Sequence, residues 1–233
     1  MRLSDRLECI IEMVPKNLVC ADIGCDHGFT SIELISRGIS PRVIGSDLRE
    51  GPLEKARENI GNAGLTERIE LRLSDGFEKY EPGETMTAVI AGMGGTLITQ
   101  ILEKGFEKVK VMEGLIVQPQ SNIPEFRRFL RNNGFEITEN RVVSDAGKYY
   151  FPMKIRYTGV CDRSELITAE DRYGADLIRD DRGLSDYLEF EYASLQAIHE
   201  KLVSEKGMHD DRTEEIVSLS ELNREILSRI KKD

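Results

Sequence analysis

The sequence has few cysteines, and none is arranged for a task. Cys9, Cys20, Cys25 and Cys161 form no C-x-x-C pair and no metal-ligand spacing, so neither a disulfide framework nor a metal site is expected. They read as reduced thiols in a cytoplasm. Long apolar runs are missing as well: stretches such as 88–91 and 115–117 fall far short of the roughly 20 residues a membrane span needs. The charged stretch 1–8 lacks the apolar core of a signal peptide, so a soluble, cytoplasmic protein is expected. Basic excess is also missing. The chain holds 32 Lys and Arg against 42 Asp and Glu, a net charge of −10. That excludes a surface coated in phosphate contacts, because non-specific nucleic-acid affinity comes mainly from cations neutralising phosphates. No internal repeat or low-complexity segment breaks the pattern.

What is present is a globular composition: 39% apolar and 32% charged residues, the charges mixed along 233 residues. This length suits one full domain and a small second one, since domains usually run about 100 to 150 residues. Charge divides unevenly between the two parts. Residues 164–233 hold 18 acidic and 10 basic side chains, whereas the preceding residues hold 24 and 22. A polyanionic partner would have to dock mainly on the first part.

Residues 1–158 alternate helix and strand signals. A short helix carrying Leu7, Ile10, Ile11 and Val14 stops at Pro15. Strands are predicted at 18–23, 42–46, 69–73, 87–91 and 114–117, with helices at 30–37, 52–64, 97–108 and 125–133 between them. Short apolar strands separated by helices mean βαβ units and a parallel sheet covered on both faces. The strand-like runs 135–143 and 149–157, joined only by Ser144-Asp145-Ala146-Gly147-Lys148, form a hairpin. A parallel sheet closed by an antiparallel hairpin is, by analogy of topology, a Rossmann-like class I methyltransferase sheet rather than a dehydrogenase.

From about residue 160 the strand signals vanish, which places a boundary between 1–158 and 159–233. Leu184, Leu188, Tyr192, Leu195, Ile198 and Leu202 recur at spacings of three and four, as do Ile216, Leu219, Leu222, Ile226 and Ile230. Gly207 can close the first helix, and Asp211-Arg212-Thr213-Glu214 offers a capping box for the second. The expectation is an antiparallel, coiled-coil-like helical hairpin, serving either as a packing or dimerisation element or as a substrate-positioning arm. Monomer and weak dimer both fit.

The chemistry gathers at strand ends. Val19 to Gly28 reads Val-Cys-Ala-Asp-Ile-Gly-Cys-Asp-His-Gly, an apolar strand entering a tight turn at Gly24, where a backbone approaches a ligand closely. A dinucleotide fingerprint needs G-x-G-x-x-G, and here only Gly24 and Gly28 are present, with Asp26 between them. An acid there repels a pyrophosphate. S-adenosylmethionine (SAM) carries no phosphate and brings an ammonium and a sulfonium, so acidic turns favour it. Asp47 ends the second strand, where a carboxylate can accept both ribose hydroxyls, and Asp75-Gly76 follows the third, where a side chain can accept from an adenine amino group. At the fourth strand end, Gly92-Met93-Gly94-Gly95 offers bare backbone with no aromatic clamp, and Thr96 can cap the next helix. Gln118 of the fifth strand can meet a base edge. The expected cofactor contacts are Asp22, Gly24, Asp26, Asp47, Leu48, Asp75, Gly76 and Gly92. Those expected at the chemistry are Asp26, His27, Met93, Gly94 and Gln118.

Several of these stretches together resemble one family. Leu3-Ser4-Asp5-Arg6-Leu7, Ala21 to Gly28, Gly51-Pro52, Ala91 to Ile98 and Gln118-Pro119 are similar to the bacterial tRNA (adenine-22-N1)-methyltransferases, across about 158 residues. The resemblance implies a class I fold, SAM as methyl donor, tRNA as partner, transfer to adenine N1 and a C-terminal coiled coil. In some members an acid follows the tyrosine matching Tyr150. Here Phe151-Pro152 follows, so no role of that acid carries over. Members with Glu at Asp47 and Asn at Asp75 keep the same hydrogen-bonding capacity.

Adenine N1 has an exposed lone pair, so no strong base is obligatory and alignment should supply most of the rate. Asp26 is a candidate for stabilising the positive charge that develops. N1 is masked in a duplex, so the base must be unpaired or flipped. Arg127, Arg128 and Arg131 are candidate phosphate contacts, or simply a solvated helix face. The competing readings are a SAM enzyme acting on a protein or small molecule, a non-catalytic RNA-binding module and a nicotinamide oxidoreductase.

Overall fold

The computed structural model describes residues 3–174, 181–206 and 211–231. In chain order its first half runs α1 (Asp5–Met13), β1 (Cys20–Ile23), α2 (Phe29–Ser36), β2 (Val43–Asp47), α3 (Glu50–Asn62), β3 (Ile69–Leu73), β4 (Thr87–Met93), α4 (Gly95–Lys104), α5 (Phe106–Val109) and β5 (Gly114–Pro119). There follow α6 (Ile123–Asn132), β6 (Phe135–Asn140), β7 (Val143–Asp145), β8 (Lys148–Tyr150), β9 (Met153–Tyr157), α7 (Ala169–Tyr173), α8 (Asp181–Lys206) and α9 (Asp211–Ile230). Seven strands form one sheet in the order β3-β2-β1-β4-β5-β9-β6. The first five are parallel, and β9 runs antiparallel to both β5 and β6.

Strand periodicity sorts the core into two layers. Ala21, Ile23, Ala88, Ile90, Leu115 and Val117 face α4, α5 and α6, packing on Ile98, Leu102, Val109, Phe126 and Leu130. Cys20, Val43, Val89 and Ile116 face α1, α2 and α3, where Ile10, Leu34, Ile35, Leu53 and Ile60 cover them. Both faces are buried, which is why these strands read as continuous apolar runs.

Three elements differ from expectation. The helix predicted over 97–108 is two helices, because the chain turns at Gly105, where a Cβ would lie 2.6 Å from the Phe77 ring. The single hairpin predicted over 135–157 is two. Its base pairs β6 with β9, and its tip pairs β7 with β8 in a sheet of its own. Pro152 has no N–H to continue a ladder, and the tip closes on Ala146 and Gly147, both at positive φ (49° and 75°), as a two-residue hairpin turn requires. Helix α7 was not foreseen, although Thr168 and Asp171 form a reciprocal capping box at its start.

Helices α8 and α9 pack antiparallel, with Asn223 Nδ2 donating to the Leu188 carbonyl (3.1 Å) and Lys231 Nζ to Glu189 (2.7 Å). Leu184, Leu188, Leu195, Ile216 and Ile226 are buried as expected, whereas Ile198 is exposed. The inner stripe of α9 also carries Thr213, Ser220 and Asn223. Gly207 lies outside the described residues. Asp211 is already the first residue of α9 rather than its cap. Among the described residues no helix is long and apolar enough to cross a membrane.

Candidate active site

The carboxyl ends of β1, β2 and β4 open into a cleft of about 410 Å³ whose wall includes Asp22, Gly24, Asp26, His27, Asp47, Gly92 and Met93. Gly24 turns the chain out of β1 at φ +73°, its N–H and that of Cys25 both donating to the Ser46 carbonyl of β2 (2.7 and 2.9 Å). That ties the first two strand ends together. Gly28 then starts α2 in the left-handed region at φ 74°.

Asp22 is buried on the cleft floor, where its Oδ2 accepts from Ser31 Oγ at 2.6 Å. Burial outweighs the Ser31 hydrogen bond and pushes its carboxyl up to about 6. Asp47 is almost as buried, and its Oδ1 accepts from the Arg49 N–H at 3.0 Å. Asp26 stands exposed at the mouth at φ 48°, with Oδ2 3.5 Å from His27 Nε2. The His27 ring stacks on Phe29 at 5.8 Å, and both line the cleft. Burial pushes the Cys25 thiol up, so this neighbour of the turn stays protonated.

Other sequence-predicted residues lie off this wall. Leu48 is 67% exposed. Asp75 pairs with Lys104 at 2.8 Å on the outside of the β3 end, with Gly76 behind it against Ile101. Gly94 faces Ser121, whose Oγ would lie 3.0 Å from a Cβ there. Gln118 is fully buried and both ends of its amide are committed: Oε1 accepts from Arg6 Nη1 at 2.8 Å, and Nε2 donates to the Pro119 carbonyl at 3.0 Å. It reaches the cleft only through Arg6. Thr96 does not cap α4, whose N-cap is Gly94; its Oγ1 accepts from Asn122 instead.

The α6 arginines, expected as phosphate contacts or a solvated face, are turned inward or bonded to the chain itself. Arg127 is 2% exposed, donates to the carbonyls of Asp171 and Arg172, and has its charge destabilised to a pKa of about 10 by burial. Arg128 donates to the Glu165 carbonyl, and Arg131 to Asp162 and Asp171. The segment after β9 folds back over this helix face, burying Arg127 and pairing Arg131 with two carboxylates, while Arg128 stays partly exposed against the Glu165 carbonyl. Sequence reasoning missed two cations that do line the cleft, Arg6 and Arg49, and also Gln120. Arg49 carried a signal, following Asp47 by two residues. Arg6 is 112 positions from its partner Gln118, and only the fold brings them together.

The acids Asp22 and Asp47, at the first two strand ends, share the cleft with the glycine turn and with Asp26. Such a wall fits a cationic nucleoside better than a dinucleotide. A parallel five-stranded core with an antiparallel β9 inserted beside β5, opening at its carboxyl ends into an acidic, glycine-turned cleft, defines a class I methyltransferase. The chain belongs to the methyltransferase domain family, whose model matches residues 3–153. It is 33% identical over 150 residues to the tRNA (adenine(22)-N(1))-methyltransferase of Bacillus subtilis, covering 64% of this chain and 63% of that relative. By sequence, then, the chain spans under two thirds of that relative's length. By structure the match is longer. The Streptococcus pneumoniae protein Sp1610, provisionally assigned as a tRNA (m1A22) methyltransferase, superposes with a TM-score of 0.86 at 28% identity, covering 97% of this chain and 100% of its own. A second structure of Sp1610, in complex with S-adenosyl-L-methionine, gives a TM-score of 0.78 at 29% identity, with 97% and 100% covered.

Proposed function

We propose that this protein transfers a methyl group from SAM to N1 of adenine 22 in tRNA, in the cytoplasm. The observation that carries the reading is the reach of the Sp1610 superposition. It takes in 97% of the chain, and so extends well past the residues that build the cleft into the helical hairpin.

SAM would supply the activated methyl group, and the residues present fit it. Asp22 and Asp47 give the cleft floor two carboxylates for an ammonium and for ribose hydroxyls. Gly24 turns the chain without a side chain, the Met93 methyl group filling the place a Cβ would take, and Gly92 and Met93 line the same cleft. The chain has no proton to remove, because adenine N1 is unprotonated at neutral pH. What it must do is align the base and tolerate a cationic product, and the exposed Asp26 carboxylate sits at the mouth where that charge would develop. N1 lies on the pairing edge, so the base has to leave its stack to enter. The His27 and Phe29 rings give the mouth a stacking surface. We assign residues 1–158 to methyl transfer and 159–233 to positioning tRNA, through shape or a few local contacts.

The test is incubation of unmodified tRNA with the protein and labelled SAM, followed by mass-spectrometric mapping of methylated nucleosides. One 1-methyladenosine at position 22, lost when that adenine is replaced by guanine, is the expected result. A label on another nucleotide, or no label in RNA at all, would overturn the reading.

A further inference from the structure

Arg6 is a cation at the cleft with neutral company. Its Nη1 donates to the Gln118 amide oxygen, and its guanidinium stands over the Tyr150 ring at 5.5 Å from the centroid. Arg37, Arg72, Arg131 and Arg141, by contrast, are each bonded to two carboxylates. An arginine held by an amide and a ring has its direction fixed and its charge uncompensated, with most of its five donors free for a fork-shaped bond to an oxyanion.

Position decides which oxyanion. The cleft acids sit at the ends of β1 and β2, whereas Arg6 reaches in beyond β4, where a Cβ on Gly92 would lie 3.7 Å from its Nη1. It therefore stands across the cleft lining from Asp22 and Asp47, on the β4 side. Its support comes from the small second hairpin. Successive residues of β8 point to opposite faces: Tyr150 meets Arg6, while Tyr149 packs against Tyr187 (5.5 Å) and Phe190 (5.4 Å) of α8. Phe151, on the same side as Tyr149, meets Tyr187 edge-on at 4.8 Å. One short strand thus rests on the helical hairpin and braces a cleft arginine.

We propose that Arg6 clamps a backbone phosphate of the RNA at the acceptor nucleotide, with Gln118 and Tyr150 as its positioning residues. The proposal rests on the reading that RNA is the substrate.

The experiment uses the full chain and the variants Arg6→Gln, Arg6→Lys, Tyr150→Leu and Tyr150→Phe. It measures SAM affinity by calorimetry, tRNA affinity across a salt series, and kcat and KM for methylation. Arg6→Gln should raise KM for tRNA about tenfold or more and lower the salt slope of tRNA binding by about one. SAM affinity should stay within about twofold, and Arg6→Lys should recover part of the tRNA affinity without the fork geometry. Tyr150→Leu should raise KM about three- to tenfold, an effect Tyr150→Phe reverses because the ring is retained. Weakened SAM binding with a normal KM for tRNA would reassign Arg6 to the cofactor's carboxylate and overturn the proposal, as would an unchanged salt slope. Wild-type protein that binds tRNA without methylating it would sink the methyl-transfer reading alone, and the binding series would still decide on Arg6.

Discussion

Met93 lies across Gly24 so closely that a Cβ on Gly24 would sit 2.1 Å from Met93 Cε. The glycine turn after β1 and the glycine-rich end of β4 therefore pack together, the Met93 methyl group filling the space a side chain at position 24 would need.

Gly24→Ala should accordingly act in two separable ways. The φ of +73° imposes about 1–2 kcal/mol of backbone strain on any L side chain, and the new methyl pushes Met93 toward the cleft. Expected are a lower melting temperature and SAM affinity reduced by more than about tenfold. Adding Met93→Ala removes the collision but not the strain, so the double variant should regain SAM affinity while staying less stable than wild type. A double variant that binds no better than Gly24→Ala would show that the two residues are not coupled.

Asp22 should make stability depend on pH in an unusual direction for a carboxylate. Its folded pKa is raised from 3.8 to about 6 by burial, so the folded state holds a proton that the unfolded state releases. The stabilisation is complete below pH 3.8 and is lost as pH rises to about 6, amounting to about 3 kcal/mol at most, at roughly 1.4 kcal/mol per pKa unit. Asp22→Asn keeps an oxygen for Ser31 and cannot ionise. Urea unfolding at pH 5 and pH 8 should show wild type losing stability against this variant at the higher pH. Parallel curves for the two proteins would disprove the raised pKa.

Asp47→Ala should weaken SAM binding by about 1–3 kcal/mol, the usual cost of leaving polar ligand groups unpaired in a buried site. Asp47→Glu should retain most of the affinity, since the carboxylate remains at the end of β2. Calorimetric titration distinguishes these outcomes, and unchanged affinity in the alanine variant would remove Asp47 from the site.

The parallel sheet was legible because buried strands such as β1 and β4 are unbroken apolar runs between helical periods, and because tight turns need residues like Gly24. What sequence could not show was long-range neutralisation. Arg127, Arg128 and Arg131 look solvated on a helical wheel, and only the return of residues 159–174 over α6 turns them into internal ties. The same blindness hid Arg6, whose partners Gln118 and Tyr150 come from β5 and β8. Local signals were also passed over. The Thr168 to Asp171 spacing marks the start of α7, and Pro152 marks where one predicted hairpin becomes two.

Glu191 ties three helices. Its Oε2 accepts from Tyr173 Oη (2.8 Å) of α7 and Asn223 Nδ2 (2.9 Å) of α9, and its Oε1 from Tyr187 Oη (2.8 Å) on its own helix. Tyr173 and Asn223 are both buried, at 1% and 0% exposure, so removing their acceptor leaves donors without water to replace it. Glu191→Ala should cost about 2 kcal/mol or more, and Glu191→Gln, which keeps a single carbonyl oxygen, should cost less. The knot lies in the hairpin and away from the cleft. Thermal unfolding should therefore shift downward while SAM affinity stays at the wild-type value, and tRNA affinity should fall if the hairpin positions RNA. Unaltered melting in Glu191→Ala would mean that the Glu191 hydrogen bonds add nothing to the packing of α8 on α9.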